Sequence, residues 1–173
     1  MPTDRERWKQ ICSGDGTAFN EVYRENAAGI RAFLRHATGN QQTAEDLMQE
    51  TFTALWQRRN RYLPEQGSLR SYLYGIARKR AADWWRTQRP GEPSQAEPSF
   101  PLAEMTSVVN DALQRLPHEQ RTLLWLREVE GQSYAELASV FDIPVGTVRS
   151  RLFAARETLR RIWHSPCPEK EEV

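Results

Sequence analysis

Residues 131–161 contain two short helical patterns separated by a tight break. This stretch constrains the fold more than any other part of the sequence. Ser133 and Glu136 have the spacing of a capping box, which predicts the start of a helix. That helix has three apolar positions: Leu137, Ala138 and Phe141. Residues 142–143 interrupt the pattern, and Pro144 fits the first turn of a second helix, where a missing N–H costs nothing.

The second helix has an apolar face and a polar outer face. Its apolar residues recur at steps of four, three and four: Val148, Leu152, Ala155 and Leu159. The opposite face carries Gly146, Arg149, Ser150 and Phe153. Residues 144–161 contain five arginines and one acid, a balance that favours phosphate. The stretch predicts a helix-turn-helix with its second helix in the DNA major groove, and the alternative is a basic, solvated helix on a small bundle.

The amino-acid composition limits the other classes of protein to which this chain could belong. Lys plus Arg total 24 and Asp plus Glu total 23, so the distribution of charge is more informative than its sum. Cys12 and Cys167 match no metal or redox spacing, and the three histidines are isolated. The chain shows no apolar run of membrane-spanning length and no signal-peptide core, so we expect a cytoplasmic protein without direct membrane insertion. Helix-period patterns without strand alternation predict an all-α fold.

Two helices are predicted before residue 40. A short helix spans about residues 4–12, and residues 13–16 have the composition of a turn. A longer amphipathic helix runs from Thr17 to near Gly39. Its core positions are Phe19, Tyr23, Ala27, Ile30 and Leu34.

A third helix has an acidic outer face. Thr43 is predicted to cap it, with Asp46 in the first turn. Its buried face is predicted to contain Ala44, Leu47, Met48, Thr51, Phe52 and Leu55. Its outer face contains Glu45, Asp46, Gln49 and Glu50, with no basic residue between positions 41 and 56. This surface is either an ordinary solvated face or a docking surface for a basic partner.

Basic and aromatic side chains are interleaved in a helix that Ser68 is predicted to cap. Six basic residues against the single acid Asp83 give residues 68–89 a net charge of plus five: Arg70, Arg78, Lys79, Arg80, Arg86 and Arg89. Trp84 lies at an apolar position, and Tyr74 and Trp85 are predicted to add aromatic surface. Such a helix suits single-stranded or partly opened nucleic acid. The alternative places the tryptophans in the core and the charges on a solvated face.

Residues 89–101 contain four prolines and little apolar content, which predicts an extended linker. The linker separates two small helical domains, residues 1–88 and residues 102–164. The second domain begins with a helical register from Leu102 to Leu116, and Pro117 opens another helix. Residues 165–173 are predicted to be a disordered tail.

The order of these features resembles the sigma-70 family of bacterial transcription initiation factors. It is most similar to the small extracytoplasmic-function group, which keeps conserved regions 2 and 4. The most specific match is residues 144–151 with Ala155 and Arg156, preceded by residues 131–136. Residues 44–52 resemble the polymerase-docking helix, and the stretch 73–78 resembles the start of the promoter-melting helix.

The resemblance implies roles for the first domain. Asp46, Gln49 and Glu50 would contact the clamp helices of the largest subunit of core RNA polymerase. Tyr62, Leu63 and the loop after them would accept a flipped base of the −10 promoter element. Four residues would hold the opened strand: Arg78, Lys79, Asp83 and Arg86. Lys79 stands where the family often has asparagine.

The second domain would read the −35 element and contact the polymerase flap. Arg149, Ser150 and Phe153 would face the major groove, with Thr147, Arg151 and Arg156 near phosphates. The linker would thread through the polymerase cleft in place of the region 3 domain of larger members. The resemblance also implies an anti-sigma partner, no cofactor, no metal and no catalytic residue.

Two other classes of protein remain as alternatives. A dimeric helix-turn-helix repressor would explain the second domain, but it leaves the acidic face and the basic-aromatic helix unexplained. A DNA-processing enzyme would use Asp46 and Glu50 as metal ligands, but no His or third carboxylate follows at ligand spacing.

Overall fold

The computed structural model describes residues 3–57, 61–88, 112–113 and 115–164. These residues form helices and turns and contain no strand, in agreement with the all-α prediction. The α-helices are α1 (Asp4–Cys12), α2 (Gly16–Thr38), α3 (Gln41–Gln57), α4 (Leu69–Gln88), α5 (His118–Glu128), α6 (Tyr134–Phe141) and α7 (Val145–His164), with a 3₁₀ turn at Pro64–Gln66. The predicted linker, the tail and most of the helical register after Leu102 lie outside the described residues. Where the chain is described, no helix is long and apolar enough to span a membrane.

Local capping determines where α2 begins and ends. Asp15 accepts hydrogen bonds from the backbone N–H groups of Thr17 and Ala18, so α2 starts one residue before its predicted beginning. Gly39 ends α2 in the left-handed conformation, with φ of 68°.

The start of α3 corrects one prediction. The helix begins at Gln41, and the side-chain oxygen of Asn40 accepts the hydrogen bond from the N–H of Thr43 at 2.9 Å. Asn40 therefore occupies the capping position that was predicted for Thr43. Both residue types cap well, and Asn40 is three residues closer to the end of α2.

The N-terminal half, α1–α4, is held together by packing of α2, α3 and α4. The predicted inner face of α3 is buried, and Phe52 makes an edge-to-face contact with Phe19 at a centroid distance of 6.4 Å. Tyr74 corrects another prediction, because its ring is only 1% exposed and lies against Phe33. It is therefore a core residue rather than added aromatic surface.

The C-terminal half, α5–α7, contains the predicted helix-turn-helix. Ser133 and Glu136 form the capping box of α6 with reciprocal hydrogen bonds. Asp142 ends α6 with φ of 55°, a left-handed conformation that Asp tolerates better than most residues. Pro144 precedes α7 rather than lying inside its first turn, and its carbonyl accepts the N–H groups of Thr147 and Val148. The predicted inner face of α7 is buried at Val148, Leu152 and Ala155.

The two halves are in contact, which the sequence did not predict. A single cluster of buried apolar residues runs through both halves, and α4 packs along α6. At a second place His36 of α2 stacks on Trp125 of α5, with ring centroids 4.3 Å apart and planes 16° from parallel.

Two histidines are buried where the halves meet. His36 is 6% exposed, and burial lowers its pKa to about 3, with Arg121 and His118 of α5 adding repulsion. Burial also lowers the pKa of His118, and Arg121 and Arg78 act in the same direction against the opposing charge of Glu119. Both side chains are therefore neutral at neutral pH in this structure.

The burial of the two neutral histidines predicts a loss of stability when the pH is lowered. The pKa of His36 is lower in the folded chain than the ordinary value of about 6.5. The contribution of the neutral His36 side chain to the free energy of unfolding is therefore complete above pH 6.5 and declines as the pH falls. Between pH 7.5 and 5.5 the free energy of unfolding should fall by about 1.4 kcal/mol more in the wild type than in His36→Phe, which keeps an uncharged ring against Trp125. Chemical denaturation at the two pH values measures this difference.

His164 provides the control, because it is exposed at the end of α7. The His164→Gln variant should show the wild-type dependence on pH. An identical loss of stability in the wild type and in His36→Phe would contradict the assignment to His36.

Candidate nucleic-acid interface

The outer face of α7 is exposed and carries the residues that the sequence predicted for it. Arg149, Ser150 and Phe153 are exposed, and the Phe153 ring keeps 68% of its surface accessible. The Ser150 hydroxyl donates to the carbonyl of Thr147 at 3.0 Å. Thr147 itself is partly buried beside the turn. An arginine on an exposed helical face is suited to guanine in the major groove.

Tyr134, at the start of α6, lies beside arginines from two other elements. The guanidinium carbon of Arg127 is 4.9 Å from the centroid of the Tyr134 ring, and that of Arg149 is 5.8 Å from it. Arg127 also donates to the carbonyl of Gln132 at 2.6 Å. Guanidinium groups over an aromatic face are attracted by its quadrupole, so Tyr134 helps to orient Arg149.

Two further arginines of α7 are paired with carboxylates of α5. Arg156 donates to Glu128 at 2.7 Å, and Arg151 donates to Glu119. The four side chains are 40–60% exposed, so each pair contributes little to stability. Phosphate oxygens can replace these carboxylates as acceptors of the guanidinium hydrogen bonds.

The acidic face of α3 is exposed as predicted. Asp46, Gln49 and Glu50 all have accessible side chains, whereas Leu47 on the opposite face is buried. Asp46 accepts a hydrogen bond from the Gln42 amide at 3.2 Å. Glu50 lies 3.5 Å from Arg80 of α4 in an exposed ion pair.

The basic residues of α4 have two different environments. Lys79 is exposed, and Arg86 forms an exposed pair with Asp83 at 3.0 Å. Arg78 is half-buried, and its Nε donates to the carbonyl of Val140 in α6 at 3.2 Å. Burial lowers the pKa of this guanidinium, although Glu119 and Asp142 act against the shift.

The two tryptophans at the end of α4 belong partly to the core. Trp84 and Trp85 are half-buried and pack edge to face with centroids 4.6 Å apart. The indole N–H of Trp85 donates to the carbonyl of Ala37 in α2 at 2.9 Å. The structure thus combines the two interpretations of this helix, with rings against the core and most cations at the surface.

The loop before α4 holds one aromatic side chain inside and one apolar side chain outside. Tyr62 is 5% exposed, packs edge to face on Trp8, and donates its hydroxyl to the carbonyl of Gly67 at 2.8 Å. Burial raises the pKa of Tyr62 to about 12. Leu63 is 48% exposed. Of the two predicted base-contacting residues, only Leu63 is on the surface in this conformation.

Several residues at these sites were not predicted. Tyr134 lies next to Arg149, and Glu130 contacts Arg70 of α4. Arg121 is 1% exposed, and its guanidinium group donates a hydrogen bond to the carbonyl of Leu116 at 2.9 Å. Neither Glu130 nor Arg121 lies in a periodic sequence pattern that would distinguish it from an ordinary charged surface residue. Tyr134 could have been suspected, because it follows the capping residue directly.

The metal site that the enzyme hypothesis needs is not found in the part of the chain that the structure describes. No three His, Cys, Asp or Glu side chains of those residues lie close enough together to hold an ion.

Comparison with protein families gives two matches in the order that the sequence predicted. The sigma-70 region 2 model matches residues 22–90, and the sigma-70 region 4 model matches residues 107–159. Together they cover more than half of the chain. The chain therefore belongs to the sigma-70 family, and its relatives place it in the extracytoplasmic-function group.

Curated relatives of similar length support this assignment. The chain is 26% identical to the ECF RNA polymerase sigma factor RpoE of Cereibacter sphaeroides, over 92% of this chain and 96% of the relative. It is 29% identical to the ECF RNA polymerase sigma-E factor of Haemophilus influenzae, over 91% and 93%. It is 30% identical to the RNA polymerase sigma factor CarQ of Myxococcus xanthus, over 86% and 91%. The protein is a promoter-directing transcription initiation factor.

Solved structures share the fold. The structure of CnrH in complex with the cytosolic domain of CnrY has a TM-score of 0.72 at 24% identity and covers 92% of this chain and 96% of its own. The sigma factor RpoE of Bartonella quintana, in complex with the anti-sigma factor NepR, has a TM-score of 0.66 at 23% identity, covering 83% and 95%.

Proposed function

We propose that the chain binds core RNA polymerase through the acidic face of α3 and directs it to promoters through α7 and α4. The observation that carries this proposal is the exposed outer face of α7, where Arg149, Ser150 and Phe153 lie together on a well-capped helix-turn-helix. The two proposed DNA-binding surfaces are basic, as phosphate groups require, and the proposed docking face is acidic. The chain would carry out this function in the cytoplasm.

The −35 element is the proposed target of α7. Arg149 would pair with a guanine edge, and Ser150 and Phe153 would contact neighbouring bases. Thr147, Arg151 and Arg156 would contact phosphates. The pairing of the last two with Glu119 and Glu128 supports this role, because anionic oxygens already occupy their donors. A further contact with the polymerase flap is proposed for the same half.

The opened −10 strand is the proposed target of α4 and the preceding loop. Lys79 and Arg86 are exposed for phosphate contacts, and Asp83 orients Arg86. Leu63 offers an apolar surface to an unstacked base, and Tyr62 supports the loop from beneath. Arg78 would join this surface once it is released from α6. This division corresponds to functional domains at residues 1–88 and 102–164, joined by residues 89–101.

An anti-sigma factor is the proposed regulatory partner. Among solved structures of this fold, CnrH is in complex with the cytosolic domain of CnrY, and the sigma factor RpoE of Bartonella quintana is in complex with the anti-sigma factor NepR. We expect co-purification from the source cell to yield a small protein bound to this chain. Recovery of only free or polymerase-bound chain in every growth condition would count against this partner.

Run-off transcription with core polymerase on genomic DNA tests the proposed function, and the acidic face provides the decisive variant. Replacing both Asp46 and Glu50 with lysine reverses the charge of this face but leaves the buried Leu47 and Phe52 unchanged. We expect specific transcripts with the wild type, and neither transcripts nor a native-gel complex with the double variant.

Glu21→Lys is the control, because Glu21 is an exposed acid on α2 outside the proposed docking face. It should bind core polymerase like the wild type, and melting curves should show that all variants fold. Undiminished complex formation by the double variant would remove α3 from the interface.

Mutations should affect the two proposed DNA contacts independently of each other. Loss of a good bidentate pair with guanine costs ~1–3 kcal/mol, so Arg149→Ala should weaken promoters and change which −35 bases are tolerated. It should leave binding to a single-stranded −10 oligonucleotide unchanged. Lys79→Ala with Arg86→Ala should retain binding to the −35 duplex but prevent strand opening. A −35 base-substitution series and permanganate footprinting measure the two effects.

Arg160→Ala is the matched control for charge, because Arg160 is an exposed arginine near the other end of α7. It should weaken all −35 variants slightly and equally. If Arg149→Ala did the same, Arg149 would be a phosphate contact rather than a base contact. Loss of oligonucleotide binding in Arg149→Ala would contradict the division between the two halves.

A further inference from the structure

Helix α1 has no part in the proposed function, and the match to sigma-70 region 2 begins only at residue 22. It is nevertheless anchored to the rest of the N-terminal half. Ile11 is fully buried, and Arg7 forms an ion pair with Glu25 of α2 at 2.5 Å. Because α1 has a fixed position on α2, it can hold other segments that pack against it.

The first residue of α1 contacts the start of α4. The Asp4 carboxylate accepts a hydrogen bond from the backbone N–H of Leu69 at 2.9 Å, across 65 positions of sequence. The hydroxyl of Ser68 accepts one from the N–H of Ser71 at 3.1 Å. The first N–H groups of a helix have no partner within that helix, and a carboxylate beside them also interacts favourably with the helix dipole. Asp4 therefore fixes the point at which the preceding loop ends and α4 begins.

Trp8 of α1 holds the other end of this loop. Its ring packs edge to face on Tyr62 with centroids 5.0 Å apart. Tyr72 of α4 completes the cluster, with its ring centroid 6.5 Å from that of Trp8 and 5.4 Å from that of Tyr62. Trp8 and Tyr62 are almost completely buried. Edge-to-face aromatic pairs contribute more than the burial of their area, so this cluster favours one orientation of the Tyr62 ring.

The loop that α1 holds, residues 62–68, is also closed at its base. The hydroxyl of Tyr62 donates to the carbonyl of Gly67 at 2.8 Å. Gly67 has φ of 151° and ψ of 177°, a backbone conformation that is essentially restricted to glycine. Leu63 follows Tyr62 directly and is 48% exposed. The two ends of the loop are therefore fixed from inside, and its exposed apolar residue is the one proposed to receive a base.

We propose that Asp4 and Trp8 are positioning residues for promoter recognition, which hold the loop in the conformation in which Leu63 accepts an unstacked base of the −10 element. The inference rests on the proposed function, because that function assigns the base to this loop. Neither positioning residue touches DNA. A loop that is held in advance loses less conformational entropy on binding, so α1 increases the affinity for that one base. It has no effect on the −35 contact or on docking to core polymerase, which use other surfaces.

The test compares an intact −10 strand with one that lacks a single base. The probes are single-stranded oligonucleotides with the −10 sequence of a promoter mapped by run-off transcription, either intact or with an abasic site at each position in turn. They are bound to holoenzyme assembled from the full chain and core polymerase, and fluorescence anisotropy measures the affinity. Loss of the base that stacks on the loop should weaken binding by the wild-type holoenzyme about tenfold or more. This loss, the affinity for the intact strand divided by that for the abasic strand, is the abasic ratio.

Two alanine variants remove the contacts of α1 with the loop. Asp4→Ala removes the acceptor for the N–H of Leu69, and Trp8→Ala removes the ring that packs on Tyr62. If either variant leaves the loop in its base-accepting conformation one-tenth of the time, the affinity for the intact strand should fall about tenfold. The affinity for the abasic strand should not change. Asp4→Asn keeps a hydrogen-bond acceptor and Trp8→Phe keeps a ring, so both should retain most of the abasic ratio.

Two controls distinguish positioning from a general loss of stability. Ile30→Val removes a methyl group from the buried core of α2, and Glu21→Ala removes an exposed acid from the same helix. Both should keep the wild-type abasic ratio, although Ile30→Val lowers the melting temperature. Every variant should bind the −35 duplex and core polymerase like the wild type, and melting curves verify folding. If Trp8→Ala does not fold, the comparison of Asp4→Ala with Asp4→Asn carries the test.

The outcomes separate the positioning role from the proposed function. A folded Asp4→Ala variant with the wild-type abasic ratio would overturn the role of Asp4, and the same result for Trp8→Ala would overturn that of Trp8. Equal losses of affinity for the intact and abasic strands, or an equal fall of the ratio in Ile30→Val, would show a structural role alone and overturn the proposal. An abasic ratio of one at every position in the wild type would instead overturn the proposed base contact, and the positioning role with it.

Discussion

The contact of Arg78 with the end of α6 fixes how the two halves of this sigma factor meet. Apolar burial holds the halves together, but it is non-directional and leaves many arrangements of two helical surfaces nearly equal. Hydrogen bonds are directional, and the bond from Arg78 to the carbonyl of Val140 determines which turn of α4 faces α6. The bond from Ser68 to Glu136 at 3.2 Å sets the same register at the start of α4.

These polar contacts also make the arrangement reversible. Each hydrogen bond contributes only about 0.5–1.5 kcal/mol net, because water replaces it on separation. Arg70 remains 43% exposed, so its bond to Glu130 is open to solvent at one side. Interfaces between domains of one chain are generally marginal, and relative motion is the default. The halves therefore combine a defined arrangement with polar contacts that water or another partner can replace.

The sequence predicts the local features well and the contacts between halves poorly. Ser133 and Glu136 encode the start of α6 within four residues, and the steps between Val148 and Leu152 identify the inner face of α7. Asn40 and Thr43 are both good capping residues, so spacing alone could not choose between them. The positions of Tyr74 and Glu130 depend on segments more than fifty residues apart, and no periodicity in either segment encodes them.

The pattern of covered and exposed surfaces implies an order of binding. Glu50 is joined to Arg80 by an exposed pair, and Arg80 lies two residues from Arg78 on α4. Such a pair contributes too little to transmit much energy from the acidic face to the contact of Arg78 with α6. A partner separates the two halves only by its differential affinity for the separated form. Because core polymerase is proposed to contact both halves, through the clamp helices and the flap, it can provide that difference before the chain meets promoter DNA.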